Sequence, residues 1–521
     1  MEVTNTSLYT VPVAEIWADL LGYEEIHADD NFFELGGFSI LAMEMVAAIG
    51  SKLGVAINLK YVMEHPVFVH FVAELPRPDG QVAIDTRATS SEGRHPVSLQ
   101  QESMLRLLEG AGKGLNYDLE WVFDLSERIE ANRLAAALET AAELQPALRT
   151  RLGHDQQVGY FQEVLAAHEA GFGRTAASAG VLCQDLFGIH LRDHAGPVSQ
   201  RLVIRVSHVI FDGWSLDVLL RCLEEAYARQ IDDGRPAAEG VGGARLLYSD
   251  YARWQRSLAD ADETQAGWQW WLSELAGYVG PSEWVAPLRA PRREAPSYAA
   301  AFVRKEIDER VVESVALCAR RLGVTPFAIY LAAFAVTLQA AKVSDDVVIG
   351  TSTASRYLPE LANTVGYVAN GRLTRVRGLM ASPRELIEYC ADWWTRSASH
   401  AEIHMEQLVD RSGNPDYLDV KFSLQDAPGL ARPMTRLGEV TATLAEVASD
   451  TTVRRPLDVA LTPMPSGAGD LLASYRPDTL TEPGVESWLG QYCDALVEFA
   501  TSPDASLVEL YRRIRQELVG R

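Results

Sequence analysis

Two short segments hold residue types that can do chemistry. In the first, Leu35-Gly36-Gly37-Phe38-Ser39 sets two glycines and a hydroxyl just before an apolar helical stretch. A serine there sits at the positive end of the helix dipole, where an attached phosphate is favoured. No neighbouring His or Lys activates Ser39 as a nucleophile, so the hydroxyl suits the attachment of a phosphodiester-linked group better than hydrolysis. A bare GGxS is otherwise an ordinary helix N-cap. In the second segment, Ser207-His208-Val209-Ile210-Phe211-Asp212-Gly213-Trp214-Ser215 ends the strand-like run RLVIRV. A histidine at a strand end can project its imidazole into a cleft while the Asp-Gly turn fixes the loop. A solitary HxxxDG is more often a hydrogen-bonded structural motif.

The elements that must position these groups follow from periodicity. Thr10 reads as an N-cap with Pro12 in the first turn, and Val13, Ile16, Trp17, Leu20 and Leu21 form one helical face before Gly22. Ala42, Met45, Val46, Ile49 and Leu53 form a second stripe starting near Ser39, and Phe68, Phe71, Val72 and Leu75 a third after Pro66. The first 75 residues thus read as a small helical bundle. The Pro-, Gly- and Ser-rich stretch 76–95 reads as a linker. Beyond it the pattern is mixed α and β: Ser215 is expected to cap a helix with Leu216, Leu219, Leu220, Leu223 and Tyr227 inward. Residues 325–341 read as a helix, and DVVIGTSTA, DYLDVKFSLQ, VTATLAEV and RRPLDVALTPM as strands.

Composition narrows the function. The chain has 521 residues, 47% apolar and 23% charged, which matches an ordinary globular protein of several domains. Its net charge of −24 repels polyanions, so nucleic acid is not expected as a partner. Eleven acids against two lysines in residues 1–75 supply nine of those negative charges. The five cysteines lack paired spacing, which points to no metal site and no disulfide framework, and to a reducing cytoplasm. With no long apolar run and no signal-like N-terminus, neither membrane spanning nor secretion is expected.

The segment Asp30-Asn31-Phe32-Phe33-Glu34-Leu35-Gly36-Gly37-Phe38-Ser39 resembles the peptidyl carrier protein family, whose DxFFxLGGxS motif carries 4′-phosphopantetheine on its serine. The resemblance implies a four-helix carrier with Ser39 as the attachment point. Phe38 stands where the family often has a polar residue.

The second segment is similar to the HHxxxDG motif of nonribosomal peptide synthetase condensation domains. Other blocks agree in order: Ser98-Leu99-Gln100-Gln101 with SxAQ, Tyr248 to Trp254 with YxDYAxW, Ile349 to Arg356 with IGxPxAGR, and Val365 to Asn370 with VGxFVN. His400 with Met405 to Val409, and Phe422 to Pro428, fit the late blocks. The resemblance implies a small all-α carrier bundle followed by an α/β (α+β), chloramphenicol acetyltransferase-like domain of two lobes, divided as 96–275 and 276–521. It gives His208 a catalytic role, places Ser207, Asp212 and Gly213 in the same site, and pairs Asp212 with Arg356. Three departures stand out. Ser207 replaces the first histidine, Leu144 to Thr150 lacks the His and Glu of RHExLRT, and His404 replaces a proline.

The implied reaction is amide formation from a donor thioester held at Ser39 and an aminoacyl acceptor. An α-amino group titrates near pH 8, and holding both arms in one tunnel offsets roughly 7–11 kcal/mol of barrier. His208 is then expected to orient the amine, take its proton or stabilise developing charge. The implied partners are a downstream aminoacyl carrier, an upstream adenylation domain or module, and a phosphopantetheinyl transferase. No second GGxS, adenylation or thioesterase pattern is visible, so the acceptor is expected on another polypeptide or segment. Two alternatives remain open: a condensation-like platform that recruits a tailoring enzyme, and ester formation with an alcohol. Heterocyclisation would want an aspartate at position 207, and epimerisation usually lacks the Asp-Gly-Trp-Ser block.

Overall fold

The structure is a computed structural model. It describes residues 6–520 except 22, 24, 34, 36–41, 43–44, 47, 50–52, 54, 56, 58–60, 63–64, 76–91, 112–114, 116, 167–180, 185, 195–199, 233–245, 259–261, 281–282, 292–297, 343, 357, 426–433, 449–451 and 465.

In the N-terminal bundle the first helix runs Thr6–Leu21, one turn further upstream than the Thr10 cap implies. The reason is Tyr9, which is buried and continues the inward stripe one turn before Val13, so Pro12 lies inside the helix. Trp17 is the bundle's centre. It meets Phe32, Phe68 and Phe71 edge-on at 5.1, 5.3 and 5.4 Å, each such contact adding to the burial of the rings. Phe68–Ala73 forms a short helix, and Ala42, Met45, Val46 and Ile49 are helical and buried.

The described residues of the remaining chain build three sheets. Strands β1 (Gly93–Pro96), β3 (Thr150–Asp155) and β4 (Gly159–Val164) make a small antiparallel sheet in the order β1-β4-β3. A six-stranded sheet has the order β12-β13-β2-β7-β6-β5. Its members are β2 (Asp118–Leu125), β5 (Val181–Gln184), β6 (Phe187–Asp193), β7 (Gln200–Ser207), β12 (Met434–Leu437) and β13 (Val440–Ala448). The helices Ala131–Leu144 and Gly213–Asp232 contribute to the same core.

The second six-stranded sheet has the order β10-β9-β11-β14-β15-β8. It joins β8 (Ala301–Ile307), β9 (Asp346–Thr353), β10 (Asn370–Arg377), β11 (Val420–Leu424), β14 (Leu457–Pro463) and β15 (Gly469–Tyr475). Its core is centred on the helix Pro326–Ala341, which is buried from Ala328 to its end, an all-round apolar helix in place of an amphipathic one. Phe334 meets Phe422 at a tilt and Trp488 and Tyr492 edge-on, at 4.7, 5.2 and 5.8 Å.

The sheets do not follow a simple cut at 275/276. Strands β12 and β13 belong by sequence to the second half, yet β13 pairs antiparallel with β2 and completes the first lobe's sheet. The helix Asp262–Leu275 likewise buries Trp268, Trp271 and Leu275 against Val348, Leu373 and Trp393 of the second half. Each half covers a hydrophobic surface that the other would leave exposed. Among the described residues, no single helix is long and apolar enough to cross a membrane. Replacing Phe334 with alanine should cost about 3–5 kcal/mol. The expected readout is a lower thermal transition of the two-lobed unit, followed by near-ultraviolet circular dichroism.

Candidate active site at the lobe interface

The site is built around Asp212. Strand β7 ends at Ser207, a 3₁₀ turn covers His208–Ile210, and the helix starts at Gly213. The cap of that helix is Asp212, not Ser215: its Oδ1 accepts from the Ser215 N–H at 2.9 Å and the Ser215 hydroxyl at 2.7 Å. A carboxylate three residues upstream satisfies the free N–H, whereas Ser215 is already inside the helix. The Arg356 guanidinium donates to Oδ1 at 2.9 Å and Oδ2 at 3.2 Å, and the N–H groups of Val368 and Ala369 each donate to Oδ2 at 3.1 Å.

Arg356 also donates to the carbonyls of Leu361 and Thr364, both at 2.6 Å, and both members of the pair are almost wholly buried. Asp212 therefore has every lone pair engaged and acts as a structural anchor. Ser355, next to Arg356, has φ 53° where the quoted motif carries glycine, and its left-handed backbone turns the chain after β9.

The other motif blocks converge on the same loops. Ser98 Oγ lies 2.7 Å from the Tyr248 hydroxyl, which donates to Tyr367 O at 2.8 Å. Gln100 Nε2 donates to the Tyr251 hydroxyl at 2.9 Å and to Val368 O at 3.2 Å. In the block that lacks the expected His and Glu, Gln145 bridges instead: it donates to Asn363 O at 2.8 Å and accepts from Val365 N–H at 2.9 Å. Trp214 packs in the core and donates from Nε1 to Ala362 O at 2.9 Å.

His208 is held by three contacts. Its backbone N–H donates to Tyr117 O at 2.7 Å, its Nδ1 lies 2.7 Å from Phe211 O, and Tyr367 lies 4.6 Å from the ring. A carbonyl only accepts, so the proton sits on Nδ1 and Nε2 carries the lone pair. Surrounding protein pushes the imidazole below its usual 6.5, which keeps it neutral near pH 7. Ser207 takes part through its backbone, donating to Leu186 O at 2.8 Å and pairing with Asp118. The support of the His208 loop thus comes from Tyr117, Phe211 and Tyr367 where the usual motif has a second ring.

His208 lines a cavity of about 110 Å³ between the two sheets, with Gln100, Tyr117, Thr351 and Tyr367 among its walls. A larger one, of about 550 Å³, is walled by Trp254, Trp268 and Gln407 and shares Gln100, Asn370 and His404 with the first. Sequence reasoning missed His404 as a wall of both, together with Glu406, Lys421, Arg454 and Arg455. The Arg454-Arg455 pair entering an apolar strand was the available signal. His404 is buried, its Nδ1 has no hydrogen-bond partner among the described residues, and burial pushes its pKa down to about 4, only partly opposed by Glu406.

Ser39 and Gly36 to Phe38 lie outside the described residues. The flanks of that segment are anchored: Phe32 is buried beside Trp17, Phe33 N–H donates to Asn31 Oδ1 at 3.0 Å, and Phe32 N–H donates to Pro66 O at 2.8 Å.

Fold and site together define an acidic carrier bundle followed by a two-lobed acyl-transfer unit. The Condensation domain profile matches residues 184–512, and the Phosphopantetheine attachment site profile matches residues 12–75. The chain belongs to the condensation domain family of nonribosomal peptide synthetases, preceded by a carrier whose cofactor is 4′-phosphopantetheine. It is 27% identical over 95% of its length to N-(5-amino-5-carboxypentanoyl)-L-cysteinyl-D-valine synthase of Amycolatopsis lactamdurans, and 24% identical over 96% to tyrocidine synthase 3 of Brevibacillus parabrevis. It spans only 14% and 8% of those two proteins. Among solved structures it resembles the X-domain from teicoplanin biosynthesis, with TM-score 0.67, 22% identity and coverage of 81% of this chain and 98% of that one. That likeness is one of fold.

Three outcomes are expected. Asp212→Ala leaves Arg356 buried without its partner and should cost about 3–5 kcal/mol in thermal or urea denaturation. Ser355→Gly should stabilise by about 1 kcal/mol in the same assays, by relieving the left-handed backbone. For His404, the unfolded chain binds its proton near pH 6.5 and the folded one near 4. Stability therefore rises with pH across that window and falls on acidification. The loss from pH 7 to 4 is roughly 3 kcal/mol from this group, and His404→Gln should flatten that part of a pH–denaturation profile.

Proposed function

We propose that this chain forms amide bonds, with residues 1–75 as donor carrier, 76–95 as linker and 96–521 as the catalytic unit. In this reading Ser39 bears the 4′-phosphopantetheine, which supplies the thiol that holds the donor acyl group. The acceptor amine attacks the thioester carbonyl, the C–N bond forms, the C–S bond breaks, and the donor thiol leaves with a proton. The observation that carries this reading is a neutral His208 whose Nδ1 proton is committed to Phe211 O. Its Nε2 lone pair is then available to orient the amine or take its proton, while Asp212 is occupied by Arg356 and the backbone. Gly213, the first helical residue, offers a side-chain-free approach beside that loop.

The acceptor arrives on a downstream aminoacyl carrier, an adenylation domain or module loads the upstream side, and a phosphopantetheinyl transferase primes Ser39. The free thiols of Cys222, Cys318, Cys390 and Cys493 suit a cytoplasmic setting without membrane attachment. The nine net negative charges on the carrier favour basic docking surfaces. Ser207 favours a second reading, a platform that binds a tailoring enzyme and no longer catalyses.

A single assay separates the two. With Ser39 loaded and an aminoacyl acceptor carrier added, mass spectrometry should show the acyl group moving to the acceptor. His208→Ala should slow transfer by about 10²–10⁴-fold, and Ser39→Ala should refuse the pantetheine arm. No transfer to any of several acceptors favours the platform; Ser207→His then tests whether a second ring restores it.

A further inference from the structure

The cavity lined by His208 carries an excess of positive charge that the reaction as described does not use. Lys421, Arg454 and Arg455 all line it, and Glu406 is the only carboxylate among its described walls. Two of the cations are matched. Arg454 meets Glu406 at 2.9 Å, and Lys421 meets Asp458, its neighbour across the parallel β11–β14 pairing, at 3.3 Å. The two arginines pull Glu406 below the usual carboxylate range although burial acts to raise it, so that group is an anion here.

Arg455 is the remainder. Its side chain is 13% exposed, its nearest carboxylate oxygen, also on Glu406, is 3.8 Å away, and its Nε is buried without an acceptor among the described residues. Arg356 shares the unpaired Nε, so the contrast lies in the terminal nitrogens: those of Arg356 meet a carboxylate and two carbonyls at 2.6 to 3.2 Å, whereas Arg455 reaches its carboxylate only at 3.8 Å. A largely buried guanidinium whose Nε is unpartnered among the described residues and whose nearest carboxylate oxygen is 3.8 Å away is costly to keep, and its natural complement is a planar anion taken in bidentate fashion. The cavity's volume of about 110 Å³ admits a short side chain.

We infer that Arg455, in the cavity it shares with Lys421, selects a substrate that carries a carboxylate close to the bond being formed. This rests on the proposed condensation reading and adds the chemical class of one substrate. The carboxylate comes either from the side chain of the acceptor amino acid or from the donor acyl group, and both sources present the same group to Arg455.

The test uses the whole chain and amide-stabilised pantetheine analogues that bind without reacting. One pair carries aspartyl and asparaginyl groups, for the acceptor side; the other carries succinyl and succinamyl groups, for the donor side. In calorimetric titrations the charged member of one pair should bind at least about tenfold more tightly than its neutral partner. The pair that shows the preference identifies which arm brings the carboxylate. Arg455→Gln should bring that ratio close to one, and Arg455→Lys, which keeps the charge but not the planar fork, should retain only part of it. Because the ratio compares two probes on the same variant, a general loss of stability does not imitate the result.

Equal binding within both pairs, no binding of any probe, or a ratio unchanged in Arg455→Gln overturns the inference. The amide-forming assay is read separately. Charge-selective binding without condensation leaves this assignment standing and overturns the reaction, and condensation with no charge preference does the reverse.

Discussion

The Asp212–Arg356 pair is the constraint on which the site depends. It joins the loop after β7 to the segment after β9, and its remaining hydrogen bonds reach Ser215, Leu361, Thr364, Val368 and Ala369. A buried ion pair is costly to assemble and contributes little net stability by itself. Its value here is specificity of position. With the carboxylate and the terminal guanidinium nitrogens engaged, the loops of the two lobes are held in one arrangement, and His208 sits in it.

That division of labour explains the histidine's state. A carboxylate beside an imidazole favours the charged ring, but Asp212 is turned toward Arg356, so His208 feels mainly the loss of water. The hydrogen bond to Phe211 O then selects the tautomer. The result is an imidazole kept neutral by burial and oriented by backbone, with Tyr367 packed beside the ring.

Much of this was legible from the sequence, because the signals were local. Apolar periodicity located the inward faces around Trp17 and Leu219, an apolar run located the helix that holds Phe334, and the resemblance to condensation-domain motifs named His208, Asp212 and Arg356. What escaped were relations between residues far apart in the chain. The helix before Val13 was extended by Tyr9, a ring whose burial depends on tertiary packing. The cap of the helix at Gly213 was assigned to Ser215 because serine is a common N-cap, while the carboxylate three residues earlier took the role. Arg455, Lys421 and His404 lie in three separate segments, and only the meeting of β11 and β14 with the end of the loop before Met405 brings them to one cavity. Ser39 was read from its motif.

The return of β13 to pair with β2 has a consequence for how this protein can be divided. A fragment ending before residue 434 would carry the first lobe's sheet with β2 as a naked edge, its N–H and C=O groups open to any extended chain. The strand that seals that edge is encoded after most of the second lobe has been synthesised. The first lobe's sheet is therefore completed late in synthesis, and a recombination joint placed between the lobes would separate β2 from the strand that covers it.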